Sequence, residues 1–249
     1  MKRKIYLVIS CVFAAVFIIS AATLGIMLNR YRHADVVYED LQDRYVSQKA
    51  KQTSDDTSTG QAPIRVDFDE LLKKNSDIVG WLYCEDTSID YPVVQADDNE
   101  YYLRKDLNGK YIVSGTLFVD YRCSAVGTNQ NLIIYGHNMR RGTAMFSTLT
   151  KYKNQDYYDE HPILYYLTPD GNYKIELFAR MVTSANSEIY MPEFGNSESF
   201  KTVLQRIKAK STFASDVSVT ETDQMVTLST CSYEFGNARY VVFGKLTII

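Results

Sequence analysis

The sequence predicts a mainly β fold: a closed or nearly closed eight-stranded barrel with an N-terminal helix and two helical insertions, preceded by a transmembrane helix. Eight short segments rich in Val, Ile, Tyr and Phe recur between turn residues from Ile78 onward, as in an all-β barrel. Helical patterns interrupt them at about residues 143–160 and 197–210. A run of 24 residues without a charged side chain, Ile5–Leu28, comes before this body.

The composition is that of an ordinary globular protein and argues against a nucleic-acid binder. The chain has 249 residues, of which 45% are hydrophobic and 23% charged, close to the globular average. Five of the 27 basic side chains lie in residues 1–33, which contain no acid, so 22 bases face 30 acids in the remainder. Because phosphate affinity needs clustered Lys and Arg, an acidic body of this kind does not suit a nucleic acid.

The apolar run Ile5–Leu28 predicts an uncleaved membrane anchor. As a helix it is about 36 Å long, enough to cross a bilayer core of roughly 30 Å. The competing interpretation is a cleaved signal peptide, whose apolar region is usually only about 7–15 residues long. The bases that flank the run favour an N-terminus inside the cell, by a narrow margin, and a body outside it: Lys2, Arg3 and Lys4 precede the run, and Arg30 and Arg32 follow it.

The remaining boundaries follow from changes in composition. We expect residues 1–4 to form a cytoplasmic tail, 5–28 the anchor, 29–63 a juxtamembrane segment and linker, and 64–249 the folded body; residues 29–50 are expected to be either helical or mobile. Within the body, Asp67 followed by Glu70 resembles a capping box and predicts a short helix through about Asn75. The predicted strands are Val79–Cys84, Ser88–Val94, Gly115–Tyr121, Asn131–Tyr135, Ile163–Thr168, Tyr173–Ser184, Met225–Ser232 and Arg239–Ile248.

Cysteine and histidine spacing gives no support to a metal site. The chain contains no CxxC, HxxxH or HExxH pattern, which are the common spacings of zinc ligands. Among the three cysteines of the body, a Cys84–Cys123 bridge is one alternative, and at least one thiol must then stay free. A free thiol outside the cell calls for an explanation.

Three residues at strand ends could carry nucleophilic chemistry. Cys231 ends an apolar strand, His137 follows another directly after Gly136, and Arg239 opens the strand that comes eight residues after Cys231. A thiolate is the nucleophile, an imidazole can protonate a leaving amine, and a guanidinium can bind an oxyanion. The alternatives are a buried structural thiol for Cys231, a polar loop residue for His137, and an ion pair with Glu234 for Arg239.

These residues resemble the motifs of a known family. TLSTC at 227–231 is similar to the TLxTC signature of sortases, the cysteine transpeptidases of Gram-positive cell surfaces, and YGHNM at 135–139 resembles their histidine motif. Arg239 falls where the active-site arginine of the family would lie, and the similarity extends from about Asp67 to the C-terminus. Class B is the most similar group, because of the helix ahead of the barrel, the 79–82 and 89–94 stretches and the helix at 197–210.

The resemblance implies a sortase-like barrel and a two-step acyl transfer without cofactor or metal. Cys231 would cleave a C-terminal sorting motif of a secreted protein, of the Asn-Pro-x-Thr/Ser type in class B, and His137 would protonate the leaving amine. A peptidoglycan amine would then resolve the thioacyl-enzyme. Arg239 and the amide of Ser232 would hold the oxyanion, and the substrate pocket would also include Leu228, Thr230 and Tyr233.

Two other functions stay open at this point. A cysteine endopeptidase would use water instead of an amine, and a membrane-tethered binding module would have lost catalysis. For the catalytic alternatives, we expect the thiol of Cys231 and the imidazole of His137 to keep nearly their usual pKa values of about 8.5 and 6.5. The thiolate–imidazolium pair is then a minority species, and the enzyme is slow.

Overall fold

A long helix and a barrel dominate the computed structural model, which describes residues 2–48, 61–124, 128–139 and 142–249. Helix α1 (Lys2–Tyr45) includes the apolar run and is the one helix in these ranges long and apolar enough to cross a membrane. Its apolar part is exposed, whereas Ala34, Tyr38 and Leu41 are buried against the barrel. Residues 29–45, which composition places in a juxtamembrane segment, therefore continue the helix. Most of the expected linker, residues 49–60, lies outside the described ranges.

Two short strands, β1 (Val46–Gln48) and β2 (Ile64–Val66), pair with each other directly after α1. Eight further strands close into a single barrel, and this confirms the predicted fold class. They are β3 (Ile78–Tyr83), β4 (Asp90–Val94), β5 (Leu117–Val119), β6 (Asn131–Tyr135), β7 (Ile163–Thr168), β8 (Gly171–Ser184), β9 (Gln224–Cys231) and β10 (Ala238–Ile248). Around the barrel the order is β10-β8-β7-β3-β4-β5-β6-β9, with β9 also paired to β10. The pairs β4–β5 and β6–β9 are parallel, and the others are antiparallel.

The helix ahead of the barrel, α2 (Phe68–Lys74), begins where predicted but has only half of a capping box. The Asp67 carboxylate accepts from the amide of Glu70 at 3.1 Å. Glu70 does not return the bond, because the Asp67 amide already donates to the carbonyl of Tyr45 at 2.9 Å. The Glu70 carboxylate pairs with Lys73 instead. The end of α1 thus takes the place of the second capping bond.

The remaining helices surround the barrel. The first insertion is a 3-10 helix, Phe146–Lys153, followed by α3 (Gln155–Glu160), and the second is α4 (Ser197–Lys210). A further 3-10 helix, Tyr101–Arg104, lies between β4 and β5. The core contains fully buried aromatic side chains from strands and helices alike, including Trp81, Tyr152, Tyr166, Phe200 and Phe243.

Candidate active site

Strand register brings Cys231, His137 and Arg239 into one row across three neighbouring strands. Strands β6 and β9 are parallel with a constant offset of 94 residues, since Asn131 lies opposite Met225 and Tyr135 opposite Ser229. The same offset carried two residues further places His137 level with Cys231. On the other side of β9, Arg239 is the direct antiparallel partner of Cys231. Residues in such a row point to the same face of a sheet, so base, nucleophile and cation share one face.

Two side-chain hydrogen bonds join the ends of β6 and β9 around this row. The Thr230 hydroxyl donates to the carbonyl of Gly136 at 2.7 Å, and the Asn138 side-chain amide donates to the carbonyl of Cys231 at 2.9 Å. Gly136 itself has no room for a side chain, because a Cβ there would lie 2.4 Å from the side chain of Leu117 and 2.7 Å from that of Phe146. Each of the two reacting residues is therefore flanked by a bond to the opposite strand end.

The imidazole of His137 is half-buried and has a defined partner. Its Nε2 lies 2.7 Å from the carbonyl oxygen of Leu103. Because a carbonyl can only accept, Nε2 carries a proton and Nδ1 is the nitrogen left for proton transfer. Burial lowers the pKa of His137 below 6.5, and the nearby charge of Arg104 lowers it further, while the Leu103 bond acts in the opposite direction. This departs from the expectation of a nearly usual pKa, and it makes imidazolium scarcer at neutral pH.

Arg239 is available to a substrate. Its guanidinium donates to the carbonyl of Ala238 at 3.1 Å. Among the residues that the structure describes, no carboxylate lies within ion-pair distance of it, so the alternative pairing with Glu234 is not formed. A guanidinium with free donors beside the nucleophile can stabilise an oxyanion.

The row opens into a cleft of about 260 Å³ with aromatic walls. It includes all three candidate catalytic residues and Thr230 among the lining residues, which are Asn99, Leu103, Phe118, Tyr135, Gly136, His137, Ala185, Tyr190, Ser229, Thr230, Cys231 and Arg239. A wider cleft of about 640 Å³ lies elsewhere, between residues 155–159 and 214–218, and neither a thiol nor an imidazole lines it. The chemistry therefore belongs to the smaller cleft.

The structure places two groups expected in the substrate pocket in other contacts. Leu228 is fully buried in the core and does not line the cleft. The amide of Ser232 donates to the carbonyl of Ala238 at 3.0 Å and so closes the β9–β10 hairpin. It is therefore not free to bind an oxyanion. Tyr233 is exposed and is not among the lining residues, and its hydroxyl donates to the carbonyl of Asn138 at 3.5 Å.

Comparisons with known proteins agree with this geometry. The family model of the sortase domain matches residues 82–247. The sortase B of Listeria monocytogenes is 35% identical over 99% of both chains. A Staphylococcus aureus sortase B–substrate complex is 34% identical with a TM-score of 0.69, covering 73% of this chain and 85% of that one. A sortase B complexed with triglycine has the same identity and TM-score, covering 73% and 86%. The chain belongs to the sortase family.

This sortase has the features of a class B transpeptidase, and the two other cysteines of its barrel body are buried. Cys84 and Cys123 are both free thiols, so the disulfide alternative is not formed. Both are buried, and burial raises the pKa of each thiol to about 11. Since the thiolate is the reactive form, both thiols stay unreactive at neutral pH. Cys231, in contrast, is partly exposed in the cleft.

A buried ion pair supports the aromatic wall of the sortase cleft, and sequence reasoning missed it. Arg122 binds both oxygens of the fully buried Asp120 carboxylate, at 2.9 and 2.8 Å. The Tyr135 hydroxyl donates to the same carboxylate at 3.0 Å, and Arg122 also donates to the carbonyl of Tyr190 at 2.8 Å. Although burial opposes ionisation, the bonds from Arg122 and Tyr135 hold the pKa of Asp120 below its usual range.

This ion pair fixes the aromatic wall of the cleft at Tyr135, which is two residues before His137 in the chain. The rings of Tyr135 and Tyr190 stack with centroids 6.0 Å apart, and the Tyr190 hydroxyl lies 2.8 Å from that of Ser229. The only sequence signal was an acid and a base, Asp120 and Arg122, close behind a short strand. The contact of His137 with Leu103 had no signal, because it uses a main-chain carbonyl 34 residues away.

Proposed function

We propose that this sortase is anchored in the cell membrane by α1 and joins secreted proteins bearing a C-terminal sorting motif to an amine of a peptidoglycan precursor. The observation that carries the chemistry is the row of His137, Cys231 and Arg239 across three neighbouring strands. The alternative membrane-tethered module without catalysis does not account for three chemically matched side chains in one cleft.

In the first step the Cys231 thiolate attacks the carbonyl carbon of a Thr or Ser residue in the sorting motif. The carbonyl oxygen becomes an oxyanion beside the Arg239 guanidinium, which carries this charge without help from the Ser232 amide. The carbon–nitrogen bond then breaks, and the imidazolium of His137 gives the Nδ1 proton to the leaving amine. The products are a thioester on Cys231, a free C-terminal peptide and a neutral imidazole.

In the second step an acceptor amine attacks the thioester carbonyl. The neutral imidazole of His137 takes a proton from the attacking nitrogen, and the Cys231 thiolate leaves as the new amide forms. The charge distribution of the starting enzyme is thereby restored. Because burial lowers the pKa of His137, the base needed in this step is the abundant form, whereas the acid needed in the first step is scarce.

The proposed substrate and location rest on the family and on α1. A motif of the Asn-Pro-x-Thr/Ser type is what the resemblance to class B implies, and a solved sortase B complexed with triglycine supports a primary amine as acceptor. The exposed apolar part of α1 supports a single membrane span. The N-terminus would then be inside, with residues 64–249 as an extracellular catalytic domain, and residues 29–63 would connect the two.

Product analysis distinguishes the transpeptidase from the endopeptidase. The enzyme is incubated with an Asn-Pro-x-Thr-containing peptide, with and without triglycine, and the products are separated and weighed. We expect the ligated product to dominate when triglycine is present, and slow hydrolysis without it. The matched control Cys231→Ala should form neither product while its thermal unfolding stays close to that of the parent. Hydrolysis at the same rate in both reactions, with no ligated product, would establish the endopeptidase instead.

A further inference from the structure

Helix α1 passes from its exposed apolar part to its docked part without a loop. Leu28, the last residue of the apolar run, is exposed, and Ala34 is already buried on the barrel. Six residues of helix span about 9 Å. The headgroup layer on each side of a bilayer core is only about 5–8 Å deep. If α1 spans a membrane, as proposed above, the barrel surface that packs on α1 therefore lies against the headgroup layer.

One segment of the barrel lies level with the end of the apolar run. Val113 and two turns of α1 line an apolar pocket formed by Thr23, Ile26, Met27, Arg30, Tyr31 and Val113. The Arg30 guanidinium also lies over the ring of Tyr111, 6.0 Å from its centroid. The segment that precedes β5 therefore sits beside the helix turns where the hydrocarbon core ends.

The exposed side chains of this segment form a surface that we call the membrane face: Tyr101, Leu103, Arg104, Lys110 and Tyr111. Its large apolar side chains are exposed to solvent, with exposed fractions of 42% for Tyr101, 38% for Leu103 and 61% for Tyr111. The acid between them, Asp106, is buried and accepts from the amides of Asn108 and Lys110. The surface thus presents aromatic rings and positive charge on a body that is otherwise acidic.

We propose that the membrane face lies in the headgroup layer of the bilayer that α1 crosses, with phospholipid headgroups as its partner. Tyrosine rings concentrate at this depth because they are apolar along the ring and polar at the hydroxyl. Arg104 and Lys110 can place their charges among lipid phosphates while their stems cover apolar surface. Continuity with α1 identifies the partner, since this segment adjoins Ile26 and Arg30 at the end of the apolar run. The inference rests on the proposed membrane anchoring.

The membrane face also forms one rim of the catalytic cleft. Leu103 presents its side chain to the exterior, lines the cleft, and accepts from His137 through its carbonyl. A cleft with this rim opens beside the bilayer. A substrate that leaves the membrane would meet Cys231 without crossing open solvent, and lipid contact would hold the segment that orients the imidazole.

Tryptophan quenching in vesicles tests the contact directly. The full chain is placed in vesicles of phosphatidylcholine and phosphatidylglycerol that contain lipid brominated along the acyl chains, which quenches nearby indoles. The single native Trp81 is fully buried and bonded to Asp90, so it supplies a constant background. Tyr111→Trp places a probe on the membrane face, and Tyr101→Trp is a second probe in case the first variant folds poorly.

Two further variants separate this inference from the anchoring on which it rests. Phe17→Trp reports from the middle of the apolar run, and Ile248→Trp from the far end of β10, away from Arg239. We expect the added emission of the Phe17 and Tyr111 variants to be lost on bromination and that of the Ile248 variant to be kept. Loss for Phe17→Trp alone, with the Tyr111 and Tyr101 variants behaving like Ile248→Trp, would overturn the membrane face while anchoring stands. No loss for Phe17→Trp would overturn both.

Discussion

Replacing Thr230 by Val should reduce the catalytic activity of this sortase strongly while lowering its stability only slightly. The substitution keeps the branched shape of a side chain that is almost fully buried, but it removes the 2.7 Å bond to the carbonyl of Gly136. Of the two side-chain bonds that hold the ends of β6 and β9 together, only the one from Asn138 to Cys231 then remains. The nucleophile and the imidazole are on these two ends.

The magnitude follows from the burial of the bond. A typical hydrogen bond contributes about 0.5–1.5 kcal/mol net, and a carbonyl left unsatisfied costs about 1–3 kcal/mol. Gly136 is only half-buried, so water can partly replace the hydroxyl and we expect about 1–1.5 kcal/mol, or a Tm lowered by about 2–6 °C. A displacement of about 1 Å at reacting groups can cost roughly 10²-fold in rate. We therefore expect kcat/KM to fall by about 10- to 100-fold in a protein that is still folded.

The assay is cleavage of the motif peptide, with thermal unfolding measured on the same samples. Thr230→Ser keeps the hydroxyl and should recover most of the activity. Thr168→Val removes a comparable bond, from Thr168 to the carbonyl of Gly171 at 2.8 Å, in the turn between β7 and β8. It should lower Tm by a similar amount or more without changing kcat/KM. Equal activity of Thr230→Val and Thr168→Val would refute the reasoning.

Three further predictions concern the surroundings of the row. Asp120→Asn leaves the Arg122 guanidinium without its charged partner. Breaking a fully buried pair costs roughly 3–5 kcal/mol of stability, but the Arg122 side chain is 39% exposed, so we expect a loss of about 2 kcal/mol. We also expect a higher KM, because the aromatic wall of the cleft loses its support. Arg239→Lys keeps the charge but loses the planar fork, and turnover should fall roughly 10²–10³-fold. The acid limb of the pH profile should lie below pH 6.5, because burial and Arg104 lower the pKa of His137, and Arg104→Gln should move it upward.

Each of these predictions has a clear contrary result. An unchanged Tm for Asp120→Asn would mean that the ion pair does not support the cleft wall. Near-normal turnover of Arg239→Lys would give Arg239 a structural role. For the pH profile, Arg65→Gln on β2 is the charge-matched control and should leave the acid limb in place. A limb that moves downward in Arg104→Gln, or moves equally in both variants, would contradict the assigned cause of the low pKa.

The barrel and the candidate residues at its strand ends were predictable because they depend on local pattern and short motifs. Alternating apolar segments and turn residues define the strands, and the motifs at strand ends identify Cys231, His137 and Arg239. The Ser232 amide does not have the expected role, because it lies at the start of a tight hairpin and donates to the Ala238 carbonyl that closes this hairpin. Leu228 belongs to the same short motif as Cys231, but its side chain is fully buried in the core, and burial of this kind is not visible in a motif.

Contacts between segments that are distant in the chain could not be predicted from the sequence pattern. The Leu103 carbonyl gives no side-chain signal, and its bond to His137 depends on how the segment before β5 folds over the cleft. The same applies to α1, in which an apolar run and a polar segment are distinct by composition but form one continuous helix. The docking of Tyr38 and Leu41 decides this, since it buries apolar surface on the barrel that the sequence alone does not reveal.

The most direct test of the central claim is intact-protein mass spectrometry of the enzyme with a motif peptide. Without an amine, we expect an added mass equal to the acyl fragment, mapped by proteolysis to Cys231 and lost when triglycine is added. Cys231→Ala should gain no mass under the same conditions. An acyl adduct on Cys84 or Cys123, or continued turnover by Cys231→Ala, would contradict the assignment of Cys231 as the nucleophile.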